Sequence, residues 1–229
     1  MSDTRALFVT ASDTEVGKTL VACALAHQAR EKGAVVRVVK PVATGFDPEA
    51  TAGSDTALLL EAAGGPATAE AIAACTPWHF RDPIAPDMAA ARAGRAIPYD
   101  AVLAHCRDAV ASNDVTVIEG VGGTMVPLDA RHTVRDLIAA LDIPAVVVSG
   151  SYLGALSHAL TAVQSLAALD IRVAGVVVSE SATSPVPIAE TVGCLTQFLA
   201  GVPVLSVPRL APGPRPWERV PDLTTLLDG

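Results

Sequence analysis

A short polar segment between an apolar run and an alanine-rich run constrains this chain most. Residues 10–20 read TASDTEVGKTL. The apolar residues 6–9 before it predict a buried strand, and residues 21–32 after it have the spacing of a helix. A strand, a loop ending in Gly-Lys-Thr and a helix together form a phosphate-binding loop. The sequence therefore predicts a nucleotide site here, although Ser12 stands where the usual pattern has glycine.

The last three residues of this loop have the chemistry that phosphate binding needs. Gly17 lets the backbone approach a phosphate, and the first amides of the following helix point at the anion. Lys18 supplies positive charge for the outer phosphates, and the Thr19 hydroxyl is a ligand that Mg²⁺ accepts. A Gly-Lys-Thr tripeptide is also found at ordinary solvated helix starts, so the prediction depends on the strand and helix around it.

The other apolar runs predict the fold class. They lie at residues 35–40, 115–118, 145–149, 173–179 and 202–207. They are continuous rather than alternating, which is typical of strands covered on both faces of a parallel sheet. Helical spacing is found between them at residues 98–111, 133–141, 153–169 and 186–199, with a shorter helix at 56–63. This alternation predicts an α/β fold with a doubly wound, mainly parallel sheet flanked by helices, as in the P-loop NTPases.

The length predicts one domain over residues 1–229. We expect residues 64–98, rich in Ala, Pro and Gly, to form a loop and helical excursion over the sheet edge. Residues 211–229 are predicted to be a Pro-rich linker followed by a short C-terminal helix over 217–227.

Composition argues against several classes of partner. Apolar residues make up 51% of the chain and aromatic residues only 3%, so Ala, Val and Leu must form the core. The net charge is −8 and no run of Lys or Arg is present, which argues against a nucleic-acid or membrane-surface partner. No apolar stretch is long enough to span a bilayer, and the first ten residues do not resemble a signal peptide. With four well-separated cysteines, interpreted as reduced packing residues, this predicts a cytoplasmic protein.

Polar residues follow the predicted strands, at the edge where ligands bind in doubly wound sheets. Lys40 ends the second strand and Glu119 ends the third. A carboxylate at the end of a buried strand is costly unless it meets a cation, so Glu119 is predicted to bind Mg²⁺ rather than to be a solvated residue in a glycine turn. Asp55 could be a second Mg²⁺ ligand, or it or Ser54 could cap the following helix. Gly123 lets backbone amides approach an anion.

Two later segments are candidates for binding the ends of ligands. Residues 149–155 join the fourth strand to a long helix, whose first amides could bind a carboxylate. Ser179 with Glu180, and the 208–210 segment, follow the last two strands, where a nucleotide base could sit. His158, within the long helix, is interpreted as a packing residue in the core or at an interface.

Several blocks in order resemble the dethiobiotin synthetase family. They are TASDTEVGKT, KPVATG, GSD, EGVGG and LGALSH, and the resemblance runs from the N-terminus to about residue 210. It implies a homodimeric ligase of biotin biosynthesis that depends on ATP and Mg²⁺. Such an enzyme joins CO2 or bicarbonate to 7,8-diaminopelargonic acid and closes a ureido ring through a phosphorylated carbamate. The products are dethiobiotin, ADP and phosphate.

The resemblance also implies a role for each matching residue, with part of the substrate site supplied across the dimer interface. The implied catalytic residues are Lys40, Lys18 and Thr14. The implied nucleotide-binding residues are Asp13, Thr14, Glu15, Val16, Gly17, Lys18, Thr19, Leu20, Ser179, Pro208, Arg209 and Leu210. The implied Mg²⁺ ligands are Thr19, Asp55 and Glu119. The implied substrate-binding residues are Thr14, Lys40, Thr44, Gly122, Gly123, Tyr152, Gly154, Ala155 and Ser157.

Seven positions depart from the family pattern, among them Ser12 in place of threonine and Glu180 in place of aspartate. Ala11 replaces the loop glycine, and a residue with a Cβ disfavours a positive φ there. Ser157 stands where asparagine is typical, Tyr152 where some members have lysine, and Asp87 where many have histidine. Ser179 replaces an asparagine that reads adenine in the family. Because a hydroxyl cannot make the two-point contact of an amide, relaxed base selectivity is expected.

Three alternatives remain open at this stage. One is another P-loop amide ligase that acts on a carboxylate. A second is a nucleotide-switched ATPase of the partitioning type, although such proteins carry a further lysine near the start of the loop, where this chain has Ala-Ser-Asp. A third is a paralogue that binds nucleotide without turnover.

Overall fold

The computed structural model describes residues 5–111 and 114–228. Its strands, in chain order, are β1 Arg5–Ala11, β2 Val36–Val39, β3 Val42–Thr44, β4 Trp78–Phe80, β5 Val115–Glu119, β6 Ala145–Ser149, β7 Val173–Ser179 and β8 Val204–Val207. Its α-helices are α1 Lys18–Glu31, α2 Asp55–Ala62, α3 Ala69–Cys75, α4 Pro86–Arg92, α5 Tyr99–Ala111, α6 Val134–Leu141, α7 Ala155–Ala167 and α8 Ile188–Phe198.

One six-stranded sheet organises the chain, in the order β2-β5-β1-β6-β7-β8. Every neighbouring pair in it is parallel. This confirms the predicted doubly wound α/β fold, and the apolar runs gave its strands to within two residues at each end. Strand β1 lies between β5 and β6, so the loop that follows β1 emerges in the middle of the sheet edge where ligands bind.

Strands β3 and β4 form a separate two-stranded parallel sheet, which the sequence did not predict. Each is only three residues long, too short for a periodic pattern. Proline cannot donate to a ladder, and Pro41 lies between β2 and β3. The 64–98 excursion contains α3, β4 and α4, so it is more ordered than expected.

The core covers both faces of the large sheet and is built from small aliphatic residues. Helices α1, α2 and α3 pack with the C-terminal segment on one face, and α4 to α8 pack on the other. Phe8 is fully buried in β1, and a Cβ on Gly120 would lie 2.8 Å from its ring. That contact leaves room only for glycine directly after Glu119, where the functional edge begins.

The C-terminal segment corrects one prediction. The expected helix over 217–227 is two separate 3₁₀ helices, Pro216–Arg219 and Thr224–Leu227. Prolines and short apolar spacings prevent a continuous helix there. In the described ranges 5–111 and 114–228, no helix has the length and apolar character that crossing a membrane requires.

Candidate active site

A buried cluster of charges lies where β2 and β5 end and α1 begins. Glu119 is fully buried, and its Oε1 accepts hydrogen bonds from Thr19 Oγ1 at 2.8 Å and Lys40 Nζ at 2.7 Å. Lys18 Nζ lies 3.6 Å from the same oxygen. Lys40, only 4% exposed, also donates to Asp55 Oδ2 at 2.5 Å. The structure thus brings together two lysines, two carboxylates and a hydroxyl. The two carboxylates that bind Lys40 lie 15 and 79 residues from it in the sequence.

Electrostatics differ between the two lysines of this cluster. Burial opposes the charge of Lys40, but Glu119 and Asp55 outweigh it and raise the pKa of the ammonium. Burial lowers the pKa of Lys18, and Glu119 offsets this only in part because Lys40 repels it. Burial would raise the pKa of Asp55, yet Lys40 draws it below its usual value. Lys40 is therefore a firmly charged, fixed group, whereas Lys18 lacks enough negative charge around it and would be stabilised by an added anion.

One buried oxygen in the cluster indicates that these residues could bind a metal ion. Among the described residues, Glu119 Oε2 is fully buried and has no hydrogen-bond partner. A carboxylate oxygen in that state is stabilised by a cation, and Thr19 and Asp55 add oxygen ligands of the kind that Mg²⁺ prefers. Within the described part of the chain, no group of three His, Cys, Asp or Glu side chains forms a metal cage. The residues fit an ion that takes part of its coordination from a bound phosphate.

The phosphate loop shows which positions need special backbone geometry. Gly17 (φ 87°) precedes α1 in the left-handed region, and Glu15 adopts φ 56° despite its side chain. Ala11 is the last residue of β1, paired with Val148 in ordinary extended backbone. No left-handed glycine is needed at position 11, so the expected cost of Ala11 does not arise.

Asp55 and Ser54 divide the two roles considered for them. Ser54 is the N-cap of α2, and its hydroxyl accepts from the Ala57 N–H. Asp55 is the first helical residue, and its carboxylate remains available for Lys40. Capping of the helix by Ser54 does not exclude the functional role of Asp55, because the two roles belong to different, adjacent residues.

A cleft of about 460 Å³ joins the predicted base and phosphate residues. Ser179 and the segment 208–210 lie on it together with Glu15, Val16, Gly17 and Leu20. Glu180, named with Ser179 from the sequence, also lines it. The lining contains further residues that sequence reasoning missed: Ser181, Ala182, Ala211, Pro212, Gly213 and Pro216. The Ser179 hydroxyl packs so closely against Gly17 that a Cβ on this glycine would be 2.7 Å from it.

A second cleft, of about 450 Å³, lies on the other side of the phosphate loop. Of the substrate residues implied by the resemblance, Thr14 and Gly123 line it. Residues 125–127 and the α7 side chains of His158, Thr161 and Ser165 complete a mostly apolar wall. No signal in the sequence had identified this wall.

The other implied substrate residues do not line this cleft. Thr44 ends β3 in the small sheet, and Gly122 adopts a left-handed φ of 59° beside Val126. Gly154 is the left-handed N-cap of α7, Ser157 is exposed, and the buried side chain of Ala155 leaves only its backbone for contact. Just before them, Leu153 is 87% exposed. Tyr152 turns instead toward the phosphate loop, where its hydroxyl donates to Asp13 Oδ2 at 2.8 Å.

Comparison with known proteins identifies the family to which the chain belongs. A protein family described as AAA domain matches residues 5–212. The chain is 48% identical over 198 residues to the ATP-dependent dethiobiotin synthetase of Acidiphilium cryptum, covering 86% of this chain and 89% of that protein. It is 49% identical over 212 residues to the enzyme of the same name from Methylobacterium nodulans, covering 89% and 92%.

Solved structures show the fold at lower identity. Apo McdA from Cyanthece has a TM-score of 0.53 at 12% identity and covers 98% of this chain and 97% of its own. Chloroplast FtsY from Physcomitrella patens has a TM-score of 0.53 at 18% identity and covers 100% and 65%. These likenesses concern the fold alone, whereas the sequence relatives identify the family. The chain therefore belongs to the family of ATP-dependent dethiobiotin synthetases, ligases that form carbon–nitrogen bonds.

Proposed function

We propose that this chain uses Mg²⁺ and ATP to join CO2 or bicarbonate to 7,8-diaminopelargonic acid and to close the ureido ring of dethiobiotin. The observation that carries the proposal is the buried cluster of Lys18, Lys40, Asp55 and Glu119 beside the phosphate loop. It supports chemistry in which two anions, a carbamate and a γ-phosphate, must be held close together.

The reaction needs no covalent link to the protein. One amine of the substrate adds to CO2 and loses a proton, which gives a carbamate. A carbamate oxygen attacks the γ-phosphate of ATP and releases ADP, so the carbonyl carbon gains a phosphate leaving group. The second amine attacks that carbon and loses a proton, and inorganic phosphate leaves as the ring closes. The protein's task is to align the groups and offset their charge.

The two lysines would divide this task. Lys40 is fixed by Glu119 and Asp55 and keeps its charge, so it would hold the carbamate and γ-phosphate in line. Lys18 begins α1 and has a lowered pKa, so the negative charge of the phosphates would stabilise its ammonium form. Thr14 is exposed in the loop between them and the second cleft, where the diamine would lie.

Thr19, Asp55 and Glu119 would hold Mg²⁺, with Glu119 Oε2 as the oxygen that the protein leaves unpaired. When bound, the ion supplies positive charge that neutralises the β- and γ-phosphate oxygens. The Glu119 Oε1 hydrogen bonds to Thr19 and Lys40 would keep the carboxylate oriented toward that position.

The proposal includes a homodimer in the cytoplasm. Leu153, Gly154 and Ser157, at the start of α7, line neither of the two clefts, and Leu153 is exposed. A second copy would cover Leu153 and bring the first amides of α7 to the carboxylate of the substrate bound by its partner.

The deciding assay is ADP release with ATP, Mg²⁺, bicarbonate and 7,8-diaminopelargonate. Release that depends on the diamine, with dethiobiotin formed in equal amount, is the expected result. Release independent of the diamine would instead indicate a nucleotide-switched ATPase. No release would indicate a protein that binds nucleotide without turnover.

Lys40→Arg should lower the rate of dethiobiotin formation about 100-fold or more, while the protein stays folded. Arginine keeps the positive charge beside Glu119 but cannot place a compact ammonium in the same buried position. Lys40→Ala should lose the same activity and also stability, because two carboxylates remain without their cation. Lys32→Ala is the matched control, since this lysine lies at the other end of α1. Thermal unfolding is measured for each, and near-normal turnover of folded Lys40→Arg would remove Lys40 from the catalytic set.

A further inference from the structure

A chain of hydrogen bonds outside the charge cluster joins α7 to the phosphate loop. The hydroxyl oxygen of Tyr152 lies 2.8 Å from Asp13 Oδ2 and 2.8 Å from His158 Nδ1. The other oxygen of Asp13 accepts from the Thr14 backbone N–H at 2.7 Å. One carboxylate thus connects the backbone of the phosphate loop to a tyrosine and a histidine 139 and more residues away.

The direction of each hydrogen bond follows from the donors available. The hydrogen bond from Tyr152 holds the pKa of Asp13 below its usual value, so Asp13 is a carboxylate and only accepts. Burial and the nearby Asp13 raise the pKa of Tyr152 to about 12, so the phenol keeps its proton. The phenol donates this hydrogen in its bond to Asp13, so the phenol oxygen must accept the hydrogen on His158 Nδ1. The chain runs from His158 through Tyr152 to Asp13.

The position of Tyr152 is fixed from a second direction. Ser151 and Ser181 exchange hydrogen bonds, each hydroxyl accepting from the backbone N–H of the other at 2.9 and 3.0 Å. A Cβ on Gly150 would lie 2.6 Å from Tyr152 Cδ1, so only glycine lets the ring fold back over the chain. These contacts hold the Tyr152 ring in place independently of Asp13, so the Tyr152 hydroxyl is a preorganised donor.

The hydrogen-bond chain ends at the part of the backbone that a substrate would contact. Asp13, Thr14 and His158 line the same 450 Å³ cleft. Glu15, the next residue, adopts the left-handed φ of 56°, which a residue with a side chain holds only when its surroundings enforce it. The carboxylate of Asp13, held on both oxygens, accepts from the Thr14 N–H directly before this position.

We propose that Tyr152 and His158 are positioning residues for ring closure, which act through Asp13 to hold Thr14 and Glu15 in the geometry that the diamine and the ATP phosphates require. The role rests on the proposed function, because ring closure is the reaction it serves. It differs from direct substrate binding by Tyr152, the role implied by the sequence, because the hydroxyl is already committed to Asp13 and His158.

Tyr152→Phe tests the link to Asp13, since it keeps the ring and removes only the hydroxyl. We expect kcat for diamine-dependent ADP release to fall about 10-fold, the scale of one hydrogen bond to a charged group. Asp13→Ala should lower kcat at least as much, and adding Tyr152→Phe to it should cause no further loss. Tyr99→Phe is the matched control, because Tyr99 stacks on His132 and lines neither cleft. Losses from Asp13→Ala and Tyr152→Phe that multiply would overturn the proposal in favour of direct contact with substrate.

A pair of substitutions at His158 tests whether the nitrogen at the Nδ1 position joins the hydrogen-bond chain. The amide nitrogen of asparagine can take the place of Nδ1, whereas that of glutamine lies nearer the position of Nε2. His158→Asn should therefore keep kcat within about 2-fold of wild type, and His158→Gln should lose about 5-fold, the scale of one neutral hydrogen bond. Equal rates in the two variants would overturn the proposal. Wild-type protein without diamine-dependent ADP release would contradict the proposed function itself, whereas active wild type with unaffected variants would contradict only this inference.

Discussion

At the scale of single residues, the site depends on how one carboxylate divides its two oxygens. Glu119 Oε1 is committed to Thr19 and Lys40, and Oε2 is buried without a partner. Desolvating a carboxylate so completely is unfavourable unless cations compensate, and the two lysines supply that charge. The site is thus stabilised internally on one oxygen and left open on the other, which is the arrangement that a divalent ion would complete.

We expect base selectivity to depend on Ser179. Its hydroxyl packs against Gly17, so it does not extend along the cleft as a longer amide would. We expect kcat/KM for ATP, CTP and GTP to agree within about 10-fold, because no side-chain amide at this position reads the base. Ser179→Asn should restore a preference for ATP. Steady-state rates with each nucleotide check this, and a wild-type preference for ATP above roughly 100-fold, or about 2.7 kcal/mol, would contradict it.

The charged residues of the site could be predicted from the sequence because each had a positional signal. Lys18 and Thr19 follow the phosphate loop, and Lys40 and Glu119 stand at the ends of apolar runs. The hydrogen bonds of Tyr152 with Asp13 and His158 had no such signal, because they depend on side-chain direction around a glycine rather than on spacing. The apolar wall of the second cleft was missed for the same reason, since its members come from separate elements.

At the scale of elements, the long strands and helices were predictable and the short ones were not. Helix α6 is the clearest case, because Thr133 and Asp136 form a capping box at its start. Strands β3 and β4 lack any comparable signal, since three residues cannot show a period. The two 3₁₀ helices near the C-terminus were misread as one helix because their apolar residues fall at spacings that an α-helix would also give.

The capping box of α6 should contribute a pH-dependent part of the stability. Burial would raise the pKa of Asp136, but hydrogen bonds from Thr133 outweigh it and lower the pKa. A carboxyl whose pKa is lowered by folding stabilises the protein above its unfolded value of about 3.9, and the stabilisation disappears as the pH falls through the lower folded value. Asp136→Ala should therefore cost about 1 kcal/mol at pH 7, as a lost cap does, and less below about pH 4.

Asp100→Ala is the control for this prediction. Asp100 is an exposed acidic residue in the first turn of α5, so its removal changes the charge near a helix start without removing a capping box. Denaturant unfolding at pH 7 and at pH 3 measures both variants. Equal losses for the two substitutions, or a loss at Asp136 that is the same at both pH values, would show that the box contributes nothing of its own.

At the scale of the molecule, the functional edge and the C-terminus meet on helix α1. The phosphate loop leads into α1, and the C-terminal 3₁₀ helices pack on the same helix. The Gln28 side chain of α1 donates to the Val220 and Pro221 carbonyls and accepts from the Leu223 N–H. The segment just before Trp217 forms part of the wall of the 460 Å³ cleft, which we propose as the nucleotide cleft. The C-terminus is therefore part of the core that supports the site.

Trp217→Ala should destabilise the whole protein and weaken nucleotide binding. Trp217 is 2% exposed and belongs to the core cluster with α1, so its truncation should cost about 3–5 kcal/mol of unfolding free energy. Phe198→Ala is the aromatic control, because this ring is 69% exposed and its loss should change stability by no more than about 0.5 kcal/mol. Because Pro216 lines the nucleotide cleft, the Kd for ATP should rise in Trp217→Ala and stay unchanged in Phe198→Ala. Denaturant unfolding and nucleotide titration measure the two effects, and a stable Trp217→Ala protein with wild-type affinity would show that the C-terminus is not part of the structural support of the site.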